Sequence, residues 1–348
     1  LTHKNNFAAL RLFAAMLVLI SHSWPLTGRP VDPVMAMTSN HLTGGTLGVM
    51  MFFAMSGFLV TESYLRRDSL TSFFEARVLR LFPALAAALA IGILIGASVT
   101  TLSASEFFSR SQTWQFFAKN MLLDLRYELP GVFVDAPYPK VVNGSLWTLP
   151  TEWFMYCVVA LLGVLAILRD KTAASAVLVV VIVGLYVSPD SVRTLPFNIP
   201  PAMALCMQAF IVGMLFQLYK ERMRWTTIWV VVLCALAILK AHRPVLGQFT
   251  IMIAVSYTTL WFALASPIKL YLADAWGDPS YGLYVYAFPV QQALVFTMPD
   301  VSPGKLAMLS AFATLVVAYA SWWSIEKPAL AQRGKLLSRW NGMKPDTQ

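Results

Sequence analysis

An arginine and a histidine interrupt the first apolar run of this chain, as Arg11 and His22 in RLFAAMLVLISH. Ionisable side chains are costly against hydrocarbon and are accommodated where they face a bundle interior or a watery cavity. Their eleven-residue step amounts to three helical turns plus ~20°, which puts both side chains on one stripe, roughly 16 Å apart along the axis. One helix can therefore present a fixed cation at one level and an imidazole at another. Imidazole is the usual proton acceptor near neutral pH, so His22 could act as a base towards a hydroxyl or as a transient covalent carrier. The structural alternative is that Arg11 snorkels to the nearer interface while His22 rests in the opposite headgroup layer.

Lipid is the solvent that such elements require. Of 348 residues, 58% are hydrophobic and 12% charged, a balance that a soluble globule of ordinary makeup does not reach. A spanning helix needs about 20 mostly apolar residues. The pattern predicts an all-α polytopic membrane protein of about ten transmembrane helices in a single bundle, at 7–25, 46–65, 80–100, 152–169, 174–188, 202–219, 226–241, 247–266, 280–298 and 304–325. One domain over 1–348 is expected, without a fused soluble module, and the first run is expected to be a retained helix rather than a cleaved signal.

Lysine and arginine set the expected orientation, because cytoplasmic loops collect positive charge. With the N-terminus inside, the inner segments hold Arg66, Arg67, Arg77, Arg80, Arg169, Lys171, Lys220, Arg222, Arg224 and Lys269, together with the basic C-terminal tail. Both termini are thus expected in the cytoplasm, with the chain in the cell inner (plasma) membrane. The net charge of +9 reads as topology and attraction to anionic membrane lipids; no nucleic-acid motif accompanies it. Cys157, Cys206 and Cys234 lie inside predicted spans, where a thiol behaves as a small apolar group. No zinc spacing, phosphate loop or Gly-x-Ser-x-Gly elbow is present, which removes support for a metal hydrolase or a transport ATPase.

Several blocks follow in a recognisable order. After the Arg-ten-residues-His opening come GGTLGVMMFFAMSGFLV at 44–60, FFEARVLRLFPAL at 73–85, NGSLWTLPTEWFMY at 143–156, SYGLYVYAFPV at 280–290 and SIEKPAL at 324–330. Together they resemble the acyltransferase-3 family of bacterial membrane O-acyltransferases. Two positions depart from the pattern of many members: Met50 stands where an acid is usual in the second span, and Ala287 where a histidine is usual near the end. That leaves His22 as the histidine within a predicted span, with His3, His41 and His242 read as exposed or interfacial.

The resemblance implies transfer of an acyl group, acetyl by expectation, from a cytoplasmic acyl-CoA donor such as acetyl-CoA to a hydroxyl of a cell-surface or lipid-linked saccharide or glycolipid. No metal and no permanently bound cofactor is implied. Coenzyme A carries phosphates that arginine engages with paired donors, and Arg77 and Arg80, three residues apart, share one helix face. Ser56, beside Gly57, is expected near the donor passage, without a role as nucleophile. Glu152, next to Pro150, is expected at the depth of His22 and able to orient its imidazole. Trp147 and Tyr281, with Tyr284, are candidates to stack on sugar or donor, although aromatic residues gather at membrane interfaces regardless. Glu326 and Lys327 read as a structural ending. The long segment 101–150 holds an amphipathic stretch, FFSRSQTWQFFAKNMLL, expected to lie on the membrane surface as a lid or an anchor. The rival class is a secondary transporter or saccharide flippase, but the related halves that often mark transporters are not found.

Overall fold

The computed structural model describes residues 5–39, 42–66, 69–187, 201–270 and 276–334. Every regular element among them is helical: α1 (Phe7–Leu26), α2 (Pro33–Met37), α3 (Gly44–Leu65), α4 (Leu70–Val99), α5 (Ala104–Ser109), α6 (Ser111–Met121), α7 (Leu149–Val164), α8 (Lys171–Val187), α9 (Pro201–Leu218), α10 (Thr227–Lys240), α11 (Pro244–Leu264), α12 (Ser280–Thr297), α13 (Pro303–Ser321) and α14 (Lys327–Leu330). A 3₁₀ turn at Gly144–Thr148 leads into α7, and a π turn at Trp322–Glu326 joins α13 to α14.

The expectation of about ten transmembrane helices is corrected. Among the described residues six helices are long and apolar enough to cross a membrane: Phe7–Leu26, Gly44–Leu65, Leu70–Val99, Gly144–Val164, Val245–Leu264 and Pro303–Leu330. The predicted spans at 174–188, 202–219 and 226–241 form apolar helices that fall short of that length. The predicted span at 280–298 forms α12, whose tyrosines, serine and paired Gln291 and Gln292 dilute its hydropathy and are largely buried inside the protein. Apolar runs do not show how short α8, α9 and α10 are, and counting apolar residues cannot separate a lipid-facing helix from one enclosed by its neighbours, as α12 is; the expectation overshot for these two reasons.

The core forms around α3, which packs chiefly against α9 and α1 and has most of its residues buried. Small residues permit this. A Cβ on Gly57 would lie 1.9 Å from the Phe210 carbonyl oxygen, and one on Gly213 would lie 2.2 Å from that of Ala54. The two backbones therefore meet closely, as small residues allow in membrane bundles. Threonine and serine side chains start the long helices: Thr43 accepts from the Thr46 amide, Ser69 from Ser72 and Ser302 from Lys305, each satisfying an N–H that a helix start leaves open.

The segment between α4 and α7 folds into a cap. Thr113, Phe116 and Asn120 form the buried stripe of the amphipathic α6, and Phe107, Phe116, Val132 and Phe133 pack with Leu85, Leu89 and Ile93 of α4. The Asn120 amide donates to the carbonyls of Phe116 and Arg126 and its oxygen accepts from the Arg126 amide, which closes the turn after α6.

Candidate active site

At one end of the bundle, the beginnings of α1, α4 and α12 meet the end of α13. Asp278, two residues before α12, accepts from Arg11 through Nε at 3.0 Å and Nη2 at 2.7 Å, and from Arg80 Nη2 at 3.3 Å. The Ser280 hydroxyl donates to its other oxygen at 2.5 Å. Burial would raise the Asp278 carboxyl, but the Arg11 and Arg80 guanidiniums and the Ser280 hydroxyl outweigh it and hold the group below the usual carboxylate range. Behind Arg80 stands Glu326, buried, 4.0 Å from Nη1 and bonded by the Ser321 hydroxyl at 3.2 Å. The π turn presents it there, and such turns are frequent at functional sites. Glu326 therefore joins the charge cluster beside Arg80, whereas Lys327 lies outward with Nζ 3.8 Å from the Trp323 ring centroid.

This charge cluster opens into a cavity of about 350 Å³ in which four guanidiniums, those of Arg11, Arg77, Arg80 and Arg333, face the carboxylates of Asp278 and Glu152. Arg77 donates to the Ser63 hydroxyl at 3.0 Å and lies 5.6 Å from the ring centroids of both Phe73 and Tyr156. Its Nε–H is buried with no hydrogen-bond partner, as is the indole N–H of Trp322, another wall residue. Buried polar groups are ordinarily hydrogen-bonded, so two orphan donors in a basic cavity are suited to an anionic or carbonyl-bearing ligand.

Along α3 the cavity wall runs through Val60, Ser56, Phe53, Phe52 and Val49, a stripe eleven residue steps long or roughly 16 Å of helix. Glu152 faces it from α7. Its carboxylate accepts a short hydrogen bond from the Tyr156 hydroxyl, one turn further on, and a long one from Ser56 Oγ at 3.4 Å. Tyr281 donates to the Leu81 carbonyl at 3.0 Å and lies 5.8 Å from the Arg80 guanidinium.

His22 occupies a second, smaller chamber of about 120 Å³ near the other end of α1, with Trp147 and Asp32 in its wall. The imidazole meets the Phe288 ring edge-on at 5.3 Å between centroids, and its Nδ1 is buried without a hydrogen-bond partner. Asp32 is buried and fully engaged, accepting from the Ser21 hydroxyl and from the amides of Met35 and Gly44, both at 2.8 Å. It pins α2 and the start of α3 over the chamber.

Six of the eight candidate residues, Arg11, Ser56, Arg77, Arg80, Glu152 and Tyr281, converge on the basic cavity, and His22 and Trp147 share the other chamber. The expected His22–Glu152 contact is not formed, because Tyr156 and Ser56 hold the carboxylate on the cavity side. Asp278 and Tyr156 escaped the sequence reading. The available signal for Asp278 was an acid just before Pro279 and the SYGLYVY block, on the stretch that enters α12 beside the arginines. His242 is exposed and bonded to Ser39 Oγ at 2.8 Å, while His3 and His41 lie outside the described residues.

A helical membrane protein with a cation-lined cavity at one end and an enclosed imidazole towards the other has the parts of a group-transfer enzyme. Residues 5–327 match the model of the Acyl_transf_3 acyltransferase domain, and the chain belongs to that family. It is a multi-pass membrane acyltransferase. An "O-acetyl transferase" of Shigella phage Sf6 is 30% identical over 359 positions, covering 97% of this chain and 99% of the relative. "Nodulation protein 10" of Rhizobium leguminosarum bv. viciae is 30% identical over 373 positions, covering 97% of this chain and 96% of the relative. No solved structure matches the chain.

Proposed function

We propose that this acyltransferase moves an acetyl group from a cytoplasmic acyl-CoA donor, such as acetyl-CoA, to a hydroxyl of a saccharide or glycolipid at the far side of the membrane. The support for the donor is the basic cavity, where an excess of guanidinium over carboxylate and the free Nε–H of Arg77 suit the phosphates of coenzyme A. The acetyl group is supported by the likeness to the O-acetyl transferase, and the carbohydrate acceptor by the resemblance of the sequence blocks to the family.

His22 is the proposed base. Its unpartnered Nδ1 takes the proton of the acceptor hydroxyl, the oxygen forms a bond to the thioester carbonyl carbon, and the carbon–sulfur bond breaks to release the coenzyme A thiolate; loss of the proton from the imidazolium and its uptake by the thiolate complete the balance. Arg11, Arg77 and Arg80 hold the donor. Glu152 keeps Ser56 and Tyr156 in register along the cavity, which makes it a positioning residue. Trp147 offers an aromatic wall to the acceptor in the His22 chamber, and Tyr281 packs beside the donor arginines. Water excluded from the bundle interior cannot compete for the thioester.

The observation that carries this reading is the placement of an unpartnered imidazole beyond the far end of a cavity whose near end is cationic. The test is His22→Ala in cells that make the acylated glycan. Mass spectrometry should find the surface glycan exported at its usual level and stripped of its O-acetyl groups. Export that fails together with acetylation would point instead to a transport role, and acetylation that persists would remove His22 from the chemistry.

A further inference from the structure

The two chambers share one side chain among their described wall residues, Val49. It is 3% exposed. On the other side of the same partition, the 3₁₀ turn before α7 turns Trp147 towards His22 and Thr148 towards the arginines. Thr148 is fixed there by a 2.8 Å hydrogen bond to the Tyr284 hydroxyl, which in turn donates to the Ser145 carbonyl at 3.0 Å. Any acyl group passing from a donor among the arginines to an acceptor at His22 crosses this partition.

We propose that Val49 is the acyl-size determinant of the enzyme, a fixed constriction that passes a two-carbon acyl group and rejects longer ones. The inference rests on the donor and acceptor assignment above. Three features make the constriction a matter of side-chain volume rather than of motion. A Cβ on the preceding Gly48 would sit 2.6 Å from the Ala14 carbonyl oxygen and 2.9 Å from Val18, so α3 lies tight against α1 at this level and its backbone has no room to shift towards α1. Valine is β-branched, and in a helix it holds essentially one χ1 rotamer. Met50, the next residue, is 0% exposed, so α3 is enclosed at this level on that side as well. The His22 chamber beyond is only about 120 Å³, in keeping with a short acyl group.

An apolar site discriminates one methylene by roughly 10- to 200-fold. The purified enzyme in lipid nanodiscs, supplied with its glycan acceptor and equimolar acetyl-CoA and propionyl-CoA, should therefore favour acetyl by about tenfold or more. Val49→Ala removes two methyl groups and should bring the propionyl-to-acetyl product ratio towards unity. Val49→Thr keeps the shape and should keep the wild-type preference. Because both products come from one preparation, partial loss of folded protein cancels in the ratio. Val49→Phe should abolish transfer while free coenzyme A still raises the unfolding temperature as it does in the wild type. An unchanged ratio in Val49→Ala, or efficient acetyl transfer by Val49→Phe, would overturn the constriction and leave the acyltransferase assignment standing. A wild-type enzyme that transfers neither group from either thioester would instead remove the donor assignment and the constriction with it.

Discussion

His22 and Arg77 differ in what they are asked to do, and substitution should separate them. A general base contributes about 10²–10⁴-fold, so His22→Gln should lower kcat by that order and leave the donor KM nearly unchanged. Arg77→Ala removes charge-assisted hydrogen bonds worth about 1.5–3 kcal/mol; steady-state kinetics should show the donor KM rising by roughly 10- to 100-fold with a smaller effect on kcat. Asp278 is structural by contrast, anchoring Arg11 and Arg80 on one carboxylate oxygen. Its carboxyl is held below the usual range, so its contribution is complete above an ordinary aspartate value of about 4 and is lost only as the pH falls through the lowered one. Asp278→Asn should destabilise the folded protein at neutral pH, by less than the 3–5 kcal/mol of a fully buried pair, because the two guanidiniums keep 25% and 26% exposure. Thermal unfolding in detergent at pH 5 and pH 7 measures this: the wild type should be alike at both, and the variant weaker at both.

Helices α3 and α9 are held by close backbone approach as well as by side-chain packing. At Gly57 an added methyl group meets the Phe210 carbonyl, and at Gly213 that of Ala54. Neither obstacle is the end of a flexible chain. Gly57→Ala and Gly213→Ala should therefore force α3 and α9 apart, costing at least the 1–3 kcal/mol typical of overpacking, and the yield of monodisperse protein should fall. Gly184 on α8 has nothing within 4 Å of an added Cβ; Gly184→Ala should be neutral or stabilising by about 0.5–1 kcal/mol, as expected when a helix-interior glycine is replaced. Helix type was legible from apolar run length, and caps such as Thr43 and Ser69 follow ordinary preferences. Legibility failed at α8, α9 and α10, where apolar letters do not say how long the helix runs, and at α12, where they do not say whether lipid or protein covers it.

Across the whole molecule, charge gathers at the Arg11 end. Glu62 there binds both Arg66, at 2.6 Å, and Lys220, at 3.0 Å, beside the cavity that holds Arg77, Arg80 and Arg333. By the positive-inside rule that end should face the cytoplasm. With Cys157, Cys206 and Cys234 replaced, Lys220→Cys should resist an impermeant maleimide in intact cells, and Lys305→Cys, at the opposite end on α13, should react. The reverse pattern would place the arginine cavity outside and separate it from cytoplasmic donors. The sequence by itself determined a helical membrane protein and the Arg11–His22 stripe, because composition, run length and position on one helix are local properties fixed by helical geometry, and its ordered motif blocks carried the resemblance to this acyltransferase family. Tertiary structure alone decided that Asp278 joins Arg11 to Arg80, that Glu152 sides with Tyr156 and Ser56, and that Val49 stands between two chambers. Those relations link residues far apart in the chain, and they depend on how closely helices approach and rotate, which no local periodicity encodes.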